Sequence, residues 1–211
     1  MNLREALRLY VILDRKAGAP RSLEEQARAA LAGGATAIQL RDKEMTCREL
    51  YEAALRVGEL CRAAGALFVV NDRLDVALAS GADGVHLGSE DLPSGVARRF
   101  VPKGFVIGAS AHSVGEGRLA EEEGVDYAGI GAVFPTGTKV SASVIGLDGL
   151  RAIRRVLSVP SVAIGGITPD NAAEVMASGV DGVAVASAVV GKTDIRAAAE
   201  RMAERLSVTR N

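Results

Sequence analysis

Two cysteines, two histidines and a formal net charge of −1 are spread over 211 residues, so this sequence lacks the raw material of several protein classes. Cys47 and Cys61 fall on one predicted helix, fourteen residues apart. At ~1.5 Å of rise per residue that is roughly 21 Å, far beyond disulfide reach. So little cysteine points to a reduced, cytoplasmic setting. No basic excess exists to grip a phosphate backbone, which argues against a nucleic-acid partner. No apolar run approaches the ~20 residues of a membrane span. Arg4, Glu5 and Arg8 break up the apolar core that a secretion signal would need. No linker or low-complexity stretch divides residues 1–211, a length that fits one domain of barrel or doubly wound size.

What the chain does have is alternation. Short apolar runs predict strands over 9–13, 37–40, 67–70, 85–87, 105–107, 127–134, 161–164 and 183–190. Helical patterns fall between and after them. Ser22 with Glu25 and Thr46 with Glu49 are capping boxes that open the first two. Behind the second, Leu50, Ala53, Ala54, Val57, Leu60, Cys61 and Ala64 share one helical face, and Gly65 stops it. Further helices are expected over 74–79, 96–101, 113–123, 147–157 and 195–206, with Thr168-Pro169-Asp170 opening another. The strands are apolar throughout, as parallel strands buried on both faces should be. Gly-Ala-Asp-Gly-Val at 81–85, Gly-Val-Asp-Tyr at 124–127 and Gly-Val-Asp-Gly-Val at 179–183 recur before the fourth, sixth and eighth strands. Eight βα units predict an α/β protein of the (β/α)8 barrel type.

Such barrels carry their chemistry at the carboxyl ends of the strands, and polar clusters collect there. Alternation places Gln39, Arg41 and Lys43 on one inward row, where two cations need an anionic partner. Asp72 follows the third strand and Asp91 the fourth. Neighbouring strands ~4.8 Å apart let two such carboxylates share a divalent cation, although either could instead cap the next helix. Ser110 and His112 follow the fifth strand. His112 is a general base or a rim hydrogen-bonder, while His86, inside a strand, suits packing or an inward hydrogen bond. Thr136, Gly137, Thr138 and Lys139 read as a phosphate cradle in the 135–146 loop, itself a lid candidate. Gly165-Gly166 and Ala186-Ser187-Ala188 stand at the usual phosphate position of these barrels. Asp14 and Arg15 carry no assignment.

Six motifs in order resemble those of the thiamine-phosphate synthase (thiamine-phosphate pyrophosphorylase) family over nearly the whole chain. They are Gln-Leu-Arg-Asp-Lys at 39–43, Val-Asn-Asp-Arg at 70–73, and Gly-Ala-Asp-Gly-Val-His-Leu-Gly at 81–88 with Glu-Asp-Leu-Pro at 90–93. Ile-Gly-Ala-Ser-Ala-His-Ser at 107–113, Val-Phe-Pro-Thr-Gly-Thr-Lys at 133–139 and Ile-Gly-Gly-Ile-Thr-Pro-Asp-Asn at 164–171 complete them. The resemblance implies a (β/α)8 barrel and a Mg²⁺-dependent transferase of thiamine biosynthesis. It would join an aminopyrimidine diphosphate to a hydroxyethylthiazole phosphate, two small phosphorylated substrates, with diphosphate released. Carried over by position, Gln39, Leu40, Arg41, Asp42, Lys43, Asn71, Ser110 and Lys139 match the pyrimidine-diphosphate contacts. Arg41, Lys43, Ser110 and Lys139 are the catalytic set among them. Asp72 and Asp91 match the magnesium ligands. Thr136, Gly137, Thr138, Gly166, Ala186 and Ser187 match the thiazole-phosphate site. Ser89 stands where the family usually has Gln, and Ala132 where Pro or His is common.

Two rivals differ in chemistry. A thiazole tautomerase of the same fold would use a histidine near position 112 and no metal. A non-catalytic barrel would bind both phosphorylated ligands without turnover. A homo-oligomer is compatible with the sequence, which does not set the assembly.

Overall fold

The structure, a computed structural model, describes residues 2–137 and 143–207. Its elements are α1 (Leu3–Ala6), β1 (Leu9–Leu13), α2 (Leu23–Ala32), β2 (Ala37–Leu40), α3 (Cys47–Ala64), β3 (Leu67–Asn71), α4 (Leu74–Ser80), β4 (Gly84–Leu87), α5 (Ser94–Ala97), β5 (Val106–Ala111), α6 (Val114–Glu122), β6 (Tyr127–Gly131), α7 (Gly146–Arg154), β7 (Ser161–Ile164), α8 (Ala172–Met176), β8 (Gly182–Val185) and α9 (Ile195–Ser207). The eight strands pair in chain order, all parallel, and β1 pairs with β8 to close the barrel. This is the expected (β/α)8 architecture.

Strand alternation builds two apolar layers. Val11, Leu13, Ile38 and Leu40 point outward and pack under the helices. Tyr10, Ile12, Leu67, Val69, Tyr127, Val162 and Ala184 point inward and fill the barrel centre. The register Ile12↔Gln39↔Val69 therefore places Gln39 inside, and Arg41 and Lys43 above it at the mouth. Leu3, Ala6 and Leu7 join the inner cluster at the opposite end. Helix α1, which the sequence reading did not foresee, thus plugs the floor, with Asn2 capping the Arg4 N–H.

The predicted capping boxes at Ser22/Glu25 and Thr46/Glu49 are both formed. The recurring Gly-x-Asp has a mechanical role. Glycines 81, 124 and 179 take positive φ, and the aspartate two residues later accepts from the start of the preceding strand. Asp83 accepts from Phe68 N–H at 2.8 Å, Asp126 from Ile107 N–H at 2.7 Å and Asp181 from Ser161 N–H at 2.8 Å. Thr36 does the same for Leu9 N–H at 2.9 Å. Each even strand is so locked to the odd strand before it.

Several boundaries depart from expectation. β5 runs to Ala111 rather than ending at 107, so Ser110 belongs to the strand itself. β6 ends at Gly131, not 134. β8 ends at Val185, and the apolar stretch to 190 is a turn in which the Val189 and Val190 N–H groups both donate to Ala186 O. α5 begins at Ser94, directly behind Pro93, and closes at Ala97 instead of spanning 96–101.

Candidate functional site

A cavity of about 450 Å³ opens at the carboxyl ends of the strands. Gln39, Arg41, Lys43, Asn71, Asp72, Asp91, Ser110, Thr136, Gly166, Ala186 and Ser187 all line it. Thr138 and Lys139 lie outside the described residues. Three expected contacts face elsewhere. Leu40 is fully buried in the outer layer, one residue out of phase with Gln39 and Arg41. Asp42 shares that phase: its carboxylate pairs with Arg15 at 2.8 Å and accepts from the Glu44 and Met45 N–H groups. Asp42 therefore braces the β2–α3 loop, which also gives Arg15 its role. Gly137 is exposed and outside the cavity wall.

One pole of the cavity is charged. Lys43 Nζ lies 3.8 Å from Asp72 Oδ2, and an Arg41 guanidinium nitrogen lies 3.8 Å from Asp14 Oδ2. Asp72 takes φ 61°, an unusual conformation for a side chain other than Gly, and its N–H donates to His86 O at 2.8 Å. That turn aims its carboxyl at Asp91. Asp91 caps no helix; its Oδ2 accepts from Gly88 N–H at 2.7 Å. Burial first, then the hydrogen bond and charge of Asp91, push the Asp72 carboxyl up to about 6, against the pull of Lys43 and Arg41. Two carboxylates this close keep a proton between them unless a cation replaces it. Among the described residues no cluster of three or more His, Cys, Asp or Glu side chains could hold a metal. A pair of hard oxygen donors suits Mg²⁺, which commonly takes one or two carboxylates and fills its shell with water and substrate phosphate.

A pH dependence follows. In the metal-free protein the raised Asp72 group favours the fold below its ordinary value of 3.8, and that contribution is lost as pH rises through about 6. A Mg²⁺ ion held there would need the ionised pair, so the proton would compete with it below that point. Half-saturating Mg²⁺ should climb by about tenfold per pH unit under pH 6 and flatten above it. Titrating Mg²⁺ against thermal stability between pH 5 and 8 measures this; a flat profile refutes it.

The opposite pole is nearly uncharged and glycine-rich. Gly165 and Gly166 take φ 100° and 64° after β7. A methyl group on Gly166 would lie 2.6 Å from both Phe134 Cβ and the Pro135 carbonyl oxygen. Asn171 ties the loop down, donating to Gly166 O at 3.1 Å and accepting from Thr168 N–H at 2.9 Å. Gly166→Ala should lower Tm, since the left-handed conformation alone costs an L-residue about 1–2 kcal/mol. If this pole holds a substrate phosphate, the change should also raise that substrate's KM more than it lowers kcat. Melting curves and steady-state kinetics would show it.

His112 is oriented by Glu116, whose Oε2 lies 2.9 Å from its Nδ1. Sequence reasoning missed several cavity residues, among them Tyr10, Ile12 and Lys192. Tyr10 and Ile12 read as ordinary strand apolar residues, and Lys192 sits in the turn after β8 where no motif marks it.

The comparisons with known proteins agree with one another. A family profile described as thiamine monophosphate synthase matches residues 9–189. A thiamine-phosphate synthase of Moorella thermoacetica is 55% identical over 197 residues, 93% of this chain and 94% of its own. One from Coprothermobacter proteolyticus is 54% identical over 202 residues, 96% of each chain. The solved thiamine phosphate pyrophosphorylase of Pyrococcus furiosus superposes with a TM-score of 0.93 at 50% identity, with 100% of both chains covered.

Proposed function

Because the chain belongs to the thiamine monophosphate synthase family, we propose that it joins 4-amino-2-methyl-5-hydroxymethylpyrimidine diphosphate to hydroxyethylthiazole phosphate, as a transferase of thiamine biosynthesis. The products are thiamine phosphate and diphosphate. The observation that supports the site assignment is the meeting of the Asp72–Asp91 pair with Arg41 and Lys43 at one pole of a single cavity, opposite the glycine-rich pole.

The charged pole takes the diphosphate. Asp72 and Asp91 would hold Mg²⁺, which when bound neutralises part of the leaving group's charge. Arg41 and Lys43 supply two more positive charges that need no rearrangement as negative charge grows on the departing oxygen. Lys139 belongs to the same set by its place in the motif. Ser110 hydrogen-bonds the pyrimidine diphosphate, and Gln39 and Asn71 orient it from β2 and β3. As the C–O bond breaks, the electron-rich aminopyrimidine carries the methylene cation. The thiazole nitrogen attacks that carbon, held in place by its phosphate on Gly166, Ala186, Ser187 and Thr136. Positioning and charge stabilisation supply the rate, and no acid–base residue is required. A cytoplasmic enzyme fits this reading; among the described residues no helix is long and apolar enough to cross a membrane.

Diphosphate release with both substrates, with and without Mg²⁺, tests the proposal. Release only with metal supports it. Turnover of a thiazole phosphate in excess EDTA favours the isomerase, and binding of both substrates without release favours the non-catalytic barrel.

A further inference from the structure

Five side chains on five different strands form one hydrogen-bonded line through the barrel centre. Gln39 Nε2 donates to Tyr10 Oη at 3.0 Å. Tyr10 Oη and Tyr127 Oη are 2.9 Å apart. Tyr127 Oη lies 3.0 Å from His86 Nδ1, and His86 Nε2 lies 3.1 Å from Ser110 Oγ. The two phenols are fully buried, and burial pushes both well above their ordinary value, so each keeps one proton to give. The rings have dedicated seats. A methyl group on Gly108 would fall 2.1 Å from the Tyr127 ring, and one on Gly129 would fall 3.0 Å from His86 Cε1. A larger residue at either place would displace the line.

Counting protons gives the line a direction. Tyr10 Oη already accepts from Gln39, and its own buried proton needs an acceptor, which Tyr127 Oη supplies 2.9 Å away. Tyr127 must then give its proton to His86 Nδ1. A ring nitrogen that accepts carries no hydrogen, so the imidazole proton sits on Nε2 and is donated to Ser110 Oγ. Ser110 receives at its oxygen and has its hydroxyl proton left for the cavity.

We propose that Tyr10, Tyr127 and His86 are positioning residues that make Ser110 a hydrogen-bond donor toward the pyrimidine diphosphate. The inference rests on the reading above that Ser110 meets that substrate. The line does no proton transfer; its task is to keep the serine hydroxyl from turning inward, where it would spend its proton on His86. Breaking the line near Ser110 should hurt more than breaking it at the far end. Tyr10→Phe leaves Tyr127 still donating to His86, whereas Tyr127→Phe removes the donor that fixes the imidazole.

The chain has only two histidines, so ¹⁵N-histidine NMR reads the ring directly, with a His112→Gln sample for assignment. In the ligand-free wild type at neutral pH, His86 should be neutral with its hydrogen on Nε2. Tyr10→Phe should keep that tautomer, and Tyr127→Phe should lose it. With both substrates, kcat should fall roughly tenfold in Tyr127→Phe, short of the ~10²–10³ that follows loss of a direct donor, while KM for the thiazole phosphate stays within about twofold. The loss in Tyr10→Phe should be smaller. A wild-type His86 carrying its hydrogen on Nδ1, or on both nitrogens, overturns the proposal. So do equal kcat losses in the two variants. If Tyr127→Phe does not fold, the wild-type spectrum decides alone. Because that spectrum needs no substrate, a failure of the functional reading, seen as no diphosphate release by wild type, is distinguishable from a failure of the positioning line.

Discussion

Asp91→Ala should lower kcat by about 10³ at physiological Mg²⁺, the largest effect expected of any single substitution here. A divalent metal held by Asp72 and Asp91 would supply several kcal/mol of charge stabilisation, and each 1.36 kcal/mol is tenfold in rate. Two losses combine in the variant. The ion would keep only Asp72, and the Gly88 N–H that Asp91 Oδ2 accepts from loses its partner. Asp91→Asn separates them, because an amide oxygen preserves the turn but not the charge. Steady-state kinetics across a Mg²⁺ titration would check this. A variant with wild-type turnover at limiting Mg²⁺ removes the metal assignment.

Arg41→Ala comes next, with kcat/KM for the pyrimidine diphosphate expected to fall by roughly 10²–10³. The guanidinium is about one-quarter exposed and stands on the inward row directly above Gln39. Its ordinary partner is Asp14, 3.8 Å away, a loose pairing that leaves donors for an anion. Arg41→Lys should recover only part of the loss, since an ammonium cannot reproduce the planar fork that grips two phosphate oxygens. The thiazole phosphate KM should barely move in either variant. A matching rise in both KM values would mean that Arg41 shapes the whole cavity instead of one pole.

The order of elements was legible because strand and helix periods alternate cleanly and capping boxes announce two helices. The inward row at Gln39, Arg41 and Lys43 was legible for the same reason: period two leaves no choice once one member is buried. That rule also turns away from the cavity the side chains of Leu40 and Asp42, which the motif had carried along as a block. Their side chains fall on the opposite phase, and Asp42 is spent on Arg15 and the loop. The ends of strands were less legible. Residues 186–190 are as apolar as a strand, yet they form a turn, since periodicity cannot separate a short buried strand from a short buried helical turn. β5 looked too short because Gly108-Ala109-Ser110-Ala111 reads as a turn; the space that its small side chains leave is taken by Tyr127. Tyr10 and Tyr127 were invisible as polar groups. Nothing in the chain's order says that two phenols from strands so far apart will share a proton-bearing contact in the middle.

The seam between the first and last strands has a consequence for biosynthesis. Leu9, Tyr10 and Val11 stand beside Val183, Ala184 and Val185, so the opening strand waits for the seven later strands to be made before its second neighbour arrives. Until then a nascent chain carries two raw edges, one at β1 and one at β7, each able to recruit another molecule. Tyr10 lies on that seam, so its final surroundings are completed only when β8 docks. Activity in this molecule is therefore a late event: an intermediate that still lacks β8 owns most of the motifs but not the closed ring around the pocket.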